Sequence, residues 1–346
     1  NRNLIPMKKL NLLLVLFCSF AFVGCTFVDG FKGNSTKDGY VYISRGAKFE
    51  QVLDSLKPFL KDAELFKKYA EESDYPATIK SGKYKITKSD SNRDIIDRLQ
   101  GGEQEEVKLR IKNEPTIYHL AGSVSKQIDA DSIEVLTAIR DFVKERNDST
   151  LNDETVKQFF IPETYFVYWG LAPEKFVDKM VAQHDKVWNT ERLAKATALK
   201  MSPLEVVTLA SIVQLESSDN MEEQQKVARA YMNRLAKDMR LEADPTSIYA
   251  YKMENGWDQK VQRVYKKWTW SSNAYNTYRN KGLPPAPICL PNLGAIDAVL
   301  SPANHEYIFF AADPSKPGYH IFTADFQEHL KNADRYRNWL KENNIK

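Results

Sequence analysis

Cysteine is scarce in this chain. Three occur in 346 residues, at 18, 25 and 289. Two lie in an apolar stretch and one stands alone, so neither a disulfide framework nor a zinc-ligand spacing can be assembled. Histidine is scarce too. Five are scattered at positions 119, 184, 305, 320 and 329, without an HExxH pair. That argues against a metallohydrolase and against a structural metal, and no cofactor is implied. An excess of one charge is also missing. There are 49 basic and 46 acidic side chains, net +3. Arg2, Lys8 and Lys9, in an acid-free stretch over 1–28, account for the whole difference. The rest is neutral, with no electrostatic footprint for nucleic acid. What is present is an ordinary globular mix, 42% hydrophobic and 27% charged, able to build a core.

There is a long apolar run at the N-terminal side. "MKKLNLLLVLFCSFAFVGCTFV" places Lys8 and Lys9 before 19 uncharged residues, Leu10 to Val28. That length can cross a bilayer as a helix. Lysines on one flank predict that flank to be cytoplasmic. The expectation is a single-pass anchor in the inner (cytoplasmic) membrane, with the bulk of the chain on the periplasmic side. The alternative is a lipoprotein signal cleaved before Cys25 in "FVGC", although Phe22 suits such a site poorly. Either way the chain is tethered to a membrane.

The expected architecture is α+β. Residues 1–28 are the anchor or signal, and 29–38, "DGFKGNSTKD", a polar linker. Residues 39–103 read as a small α+β module. A strand at 40–44 precedes a helix with Phe49, Val52, Leu53 and Leu56 on one face. A second strand near 84–87 precedes a helix with Ile95, Ile96 and Leu99, closed by Gly101 and Gly102. Residues 104–200 are mostly helical, after a strand at 105–111. Within them "FFIPETYFVYWG" is dense in aromatics and reads either as core or, beside Glu163, as the lining of a sugar groove. From 201 the pattern sharpens. Ser202, Pro203 and Glu205 form a capping box with proline at the first helical position. That helix is predicted to run to about Ser217. A second, capped by Asp219, reaches about Met239 and packs against it. Strands in "YIFFAA" and "HIFT" and a helix over 325–343 finish the chain.

The first of those two helices carries an acid where none is expected. Glu216 shares the apolar side of the wheel with Leu209, Ile212 and Val213. Lost hydration raises a carboxyl pKa, and the negative end of the helix dipole acts the same way. A carboxyl kept protonated near neutrality can give a proton to a leaving oxygen and take one back. The bland alternative is a helix-end Glu paired with Lys or Arg. Downstream segments are polar and turn-forming, rich in groups that hydrogen-bond hydroxyls and amides.

"LASIVQLES", "ARAYMNRL", "MRLEADPTSIY", "YNTYRNKGLPPAPI" and the late "HIF" with His329 resemble, in order and spacing, the catalytic domain of the YceG-like family of endolytic murein transglycosylases. "YVYISRGAKFEQVLDSL" and "SGKYKI" resemble that family's LysM-like module, and "FIPETYFVYW" its "PDTY" segment. The resemblance covers about residues 7–340. It implies a LysM-like module at 39–103, a helical connection over 104–200 and a lysozyme-like α+β catalytic domain at 201–346. It also implies internal cleavage of peptidoglycan between N-acetylmuramic acid and N-acetylglucosamine without water. A single glutamate protonates the glycosidic oxygen, and the muramyl 6-hydroxyl closes a 1,6-anhydro ring. Peptidoglycan strands, the membrane and cell-wall synthases are the partners this suggests.

By the same resemblance the catalytic glutamate falls on Glu216, and the first acid of the family pattern is Gln214 here. Asp244 and Thr246 match "DPT", Tyr275 and Asn276 match "YNTY", and Glu242 stands where glutamine is frequent. Ala286 replaces a glycine. Tyr275 is expected to touch the Glu216 carboxyl or substrate, Asn276 a substrate amide, and Asp244, Thr246, Glu242 and Asn233 to line the groove. Asp244 reads equally as a loop cap, and Asn233 as a cap of its own helix. Two competing functions remain. One is a water-using hydrolase in which Glu163 or Asp244 is the second carboxylate. The other is a non-catalytic scaffold that binds peptidoglycan.

Overall fold

The computed structural model describes residues 31–217, 220–259, 261 and 268–343. The apolar run and Asp219 lie outside them. The chain divides into two compact units.

The first unit holds the described residues up to Leu109, with Gln127–Ala130 and Phe166–Ala172. Strand β1 (Gly39–Ile43) pairs antiparallel with β2 (Gly82–Ile86), from Gly39↔Ile86 to Ile43↔Gly82. Between them run helices α1 (Phe49–Leu56) and α2 (Ala63–Glu72). Alternation along β1 buries Val41 and Ile43 and leaves Tyr40 and Tyr42 outside. The buried residues meet Val52, Leu53 and Leu56 of α1 and Phe66 of α2 in a common core. Ile95, Ile96 and Leu99 complete it from α3 (Asn92–Gly101). Ser91 and Asp94 cap α3 reciprocally, and Gly102, at φ +75°, ends it in the left-handed conformation.

Residues 33–37, expected as linker, are instead built into this unit. Asn34 is 4% exposed. Its amide donates to Asp62 O at 2.8 Å and Asn92 Oδ1 at 2.7 Å, and its Oδ1 accepts from Asp62 N at 2.9 Å. A fully bonded amide can be buried at little cost. Linkers and buried polar joints draw on the same residue types, which is why composition misleads here. Strands β3 (Glu106–Arg110) and β4 (Thr164–Tyr168) form another two-stranded sheet. In β4 the aromatic segment alternates, with Tyr165 and Val167 buried and Phe166 and Tyr168 exposed.

The second unit is mainly helical. Helices α4 (Ile117–Val124), α5 (Ser132–Glu145), α6 (Pro173–Val187) and α7 (Thr190–Ala198) precede α8 (Pro203–Glu216). The expected Ser202–Glu205 capping box opens α8. Every residue from Val206 to Val213 is buried, so the middle of α8 is enclosed on all sides and forms the centre of the unit. Around it lie α9 (Met221–Ala236), α10 (Asp244–Asn255) and α11 (Leu293–Leu300). Asn220 caps α9 through its side chain. Strands β5 (Phe309–Ala312) and β6 (His320–Thr323) form an antiparallel hairpin, on which α12 (Phe326–Glu342) packs.

Candidate active site

The last turn of α8 leaves the core. Leu215 is 43% exposed, and Glu216 is half-buried. From α9 the Tyr231 hydroxyl donates to Glu216 Oε1 at 2.6 Å. Burial pushes the Glu216 pKa upward, and the nearby charge of Asp244 adds to it. The Tyr231 hydrogen bond stabilises the anion and opposes both. The balance stands at about 7. Glu216 is thus divided between acid and base near neutrality.

Asp244 is the first residue of α10. The "DPT" segment, read from sequence as a turn, opens this helix with Pro245 in its first turn. Tyr278 donates to Asp244 Oδ1 at 2.6 Å. Burial and the Asp244 charge raise the Tyr278 pKa far above its usual value, so the hydroxyl stays a donor.

Behind this pair the two motifs are sewn together. Thr246 Oγ1 donates to Ala243 O at 2.6 Å. It also lies 2.7 Å from Thr277 Oγ1, which accepts from Ala243 N at 3.1 Å. Asn276 donates to Ser271 O at 2.7 Å and Thr269 O at 3.2 Å, and accepts from Tyr278 N at 3.1 Å. Glu242, at φ +52°, adopts a conformation that costs a residue with a side chain about 1 kcal/mol or more. It is held by Thr277 O, which accepts from its N–H, and by Arg234, whose Nη1 lies 3.2 Å from Glu242 Oε2. Arg234 is 7% exposed and also donates to the carbonyls of Ile308, Arg240 and Leu241.

Glu216, Tyr231, Glu242, Asp244 and Tyr278 line a cleft of about 490 Å³. Phe310, His320 and His329, from β5, β6 and α12, line it with them. So three of the residues expected from sequence, Glu216, Asp244 and Glu242, share one cavity. Four do not line it. Tyr275 was expected to touch Glu216, but its hydroxyl donates to Glu154 at 3.0 Å. Asn276 was expected to meet a substrate amide, but it is fully buried with its bonds directed to backbone. Thr246 is buried in the threonine joint. Asn233 donates to His305 O and Tyr307 O. Each carries the polar chemistry of a sugar ligand, and each spends it inside the fold.

Glu163 is exposed and lies elsewhere, bonding the N–H of Thr164. Gln214 accepts from Asn292 N at 2.6 Å, and Ala286 is fully buried. Tyr231, Tyr278 and Arg234 were not singled out from sequence. Tyr231 had a usable signal: two helices joined by a few residues pack on each other, and it lies on the inward face of the second.

The protein thus sets a helix-end acid in a polar cleft, an arrangement chemically suited to proton transfer from one carboxyl. Residues 41–335 match the YceG-like family, and the chain belongs to that family. It is 25% identical over 333 residues to the endolytic murein transglycosylase of Streptococcus pneumoniae serotype 2 strain D39, covering 88% of this chain and 59% of the relative. It is 29% identical over 208 residues to the endolytic murein transglycosylase of Bacillus subtilis strain 168, covering 58% of this chain and 55% of the relative. The chain thus spans little more than half the length of these relatives. Its fold is that of a yceG-like protein from Listeria monocytogenes solved by crystallography. The TM-score is 0.56 at 24% identity, over 85% of this chain and 98% of that one.

Proposed function

We propose that this protein is an endolytic lytic transglycosylase of peptidoglycan, with Glu216 as its acid and base. The observation that carries the reading is the Glu216 carboxyl, at the mouth of a polar cleft and poised at about 7. With Tyr231 bonded to Oε1, the acidic proton sits on Oε2. Glu216 gives that proton to the glycosidic oxygen as the bond from the muramyl C1 breaks. The muramyl 6-hydroxyl then bonds to C1 and returns its proton to the Glu216 carboxylate. No water is consumed, and the product carries a 1,6-anhydro end. Because the nucleophile belongs to the substrate, proximity replaces the second carboxylate of a hydrolase.

Asp244 has two effects in this reading. Its charge adds to burial in keeping Glu216 protonated before the step, and it stabilises positive charge that develops at C1. The strand–helix–helix–strand order of the first unit supports a LysM-like module that holds glycan. The apolar run over Leu10 to Val28 supports a membrane tether with the site on the extracytoplasmic side. Together these suit an enzyme that ends new strands near cell-wall synthases.

Purified peptidoglycan incubated with the parent chain and with Glu216→Gln, followed by mass spectrometry of glycan ends, tests the reading. Internal anhydro-muramyl ends from the parent alone are expected. Reducing ends would replace the reading with hydrolysis, Asp244 then activating water. No new ends from a membrane-tethered parent that still binds glycan would replace it with a scaffold.

A further inference from the structure

Behind the cleft lies a charge cluster, a buried lysine against a half-buried carboxylate, that the proton transfer does not use. Lys157 has a side chain with no exposure, paired with Glu154 at 2.7 Å. Its ammonium has three hydrogens, and three acceptors surround it: Glu154 Oε2 and Tyr249 Oη at 2.7 Å, and Pro115 O at 3.3 Å. Glu154 Oε2 in turn accepts from Tyr249 at 2.7 Å and Tyr275 at 3.0 Å. Burial alone would raise the Glu154 pKa, but Lys157 and the two tyrosines outweigh it, so the carboxylate stays ionised. Glu154 offsets the charge of a fully buried ammonium, and removing it would leave Lys157 unpaired. The convergence of two tyrosines on the same carboxylate oxygen calls for another reason.

The positions of the two tyrosines supply one. Tyr249 lies on α10, which begins at Asp244. Tyr275 lies in the loop that brings Tyr278 to Asp244. One carboxylate oxygen therefore grips both elements whose other ends meet in the cleft, and the two rings lie 4.8 Å apart. We propose that Glu154 is a positioning residue: it clamps α10 to the 273–280 loop and so fixes the Asp244–Tyr278 pair relative to Glu216. This rests on the proposed role of Glu216. Loosening the clamp separates Asp244 from Glu216 and weakens the charge that adds to burial in keeping Glu216 protonated. The other titratable or charged groups lining the cleft with Glu216 are Tyr231 and Arg234 from α9, Glu242, Tyr278, His320 from β6, and His329 and Tyr336 from α12. The clamp bonds none of them directly.

The test is a carbon-13 titration of the glutamate carboxyls in the full chain, with Glu216 assigned by Glu216→Gln. Tyr275→Phe removes one donor and keeps the ring, and Glu154→Gln removes the charge. Each is expected to lower the Glu216 midpoint, by no more than Asp244→Asn alone lowers it. Each is expected to leave it in place in an Asp244→Asn background, where the charge is already gone. A midpoint unmoved in folded Tyr275→Phe would overturn the proposal. So would the same shift with and without Asp244. Anhydro-end formation is followed in the same samples. If the parent makes none, the transglycosylase reading fails, and the titration still decides the clamp.

Discussion

Replacing Glu216 with Gln has a consequence for stability that carries a definite sign. The folded state holds this proton to about 7, whereas an unfolded glutamate releases it near 4.5. Below 4.5 both states are protonated, and the side chain brings no penalty. Between 4.5 and 7 the unfolded state loses the proton first, and parent stability falls as pH rises. Above 7 the full cost of a desolvated anion is present. At 1.36 kcal/mol per pH unit the span amounts to about 3 kcal/mol, and partial exposure of the carboxyl reduces it to roughly 2–3 kcal/mol. Gln keeps the shape and can still accept from Tyr231, but it never ionises. Urea unfolding of both proteins from pH 4 to 8.5 is the assay, read on the transition of the unit that contains α8. The two curves are expected to agree within about 1 kcal/mol at pH 4. The variant is expected to be the more stable by about 2 kcal/mol at pH 8. A difference that is flat with pH, or of opposite sign at pH 8, would refute the claim that burial sets the state of Glu216. It would remove the physical basis for its acid role.

Four further outcomes follow from the geometry. The rate of anhydro-end formation is expected to fall on the alkaline side with a midpoint near 7, as Glu216 loses its proton. Tyr231→Phe removes a donor to the anion, so this limb should move to higher pH by about one unit while the maximal rate drops; a limb that moves down would contradict the assignment. Asn276→Ala should cost about 2–4 kcal/mol in thermal or urea unfolding, because it leaves buried backbone groups unpaired, and a change in KM without loss of stability would restore it as a substrate contact. Ser202→Ala should cost about 1 kcal/mol through loss of the α8 cap, as read by urea unfolding, without moving the pH profile.

How much of this was legible in sequence depends on the range of the interaction. The Ser202–Glu205 box, the first strand, read at 40–44 and found at Gly39–Ile43, and the Gly102 stop are local signals. Glu216 was legible because an acid on an apolar face contradicts the pattern around it. Its partner Tyr231 lies 15 residues away across a helix turn. The Glu154–Tyr275 bond joins residues 121 apart. No period or spacing encodes such pairs. The same limit explains the misplaced tyrosine: sequence shows that a phenol is available, not which of several carboxylates it meets. The helix opened by Asp244 was hidden for another reason. Its first residues, Asp-Pro-Thr, are turn formers as often as helix starters.

The burial of Asn34 bears on where this protein can work. With chain packed from residue 33 onward and the Arg93 guanidinium over the Phe31 ring, at most residues 29–32 separate the first unit from the apolar run. Fully extended, four residues span about 14 Å. If that run lies in a bilayer, the leash is shorter than the diameter of about 30 Å expected for a compact unit of this size. The first unit would graze the lipid headgroups rather than patrol the wall above them. On the proposed reading, glycan would then have to arrive at the membrane to be bound, and access would be restricted to strands still close to where they are made.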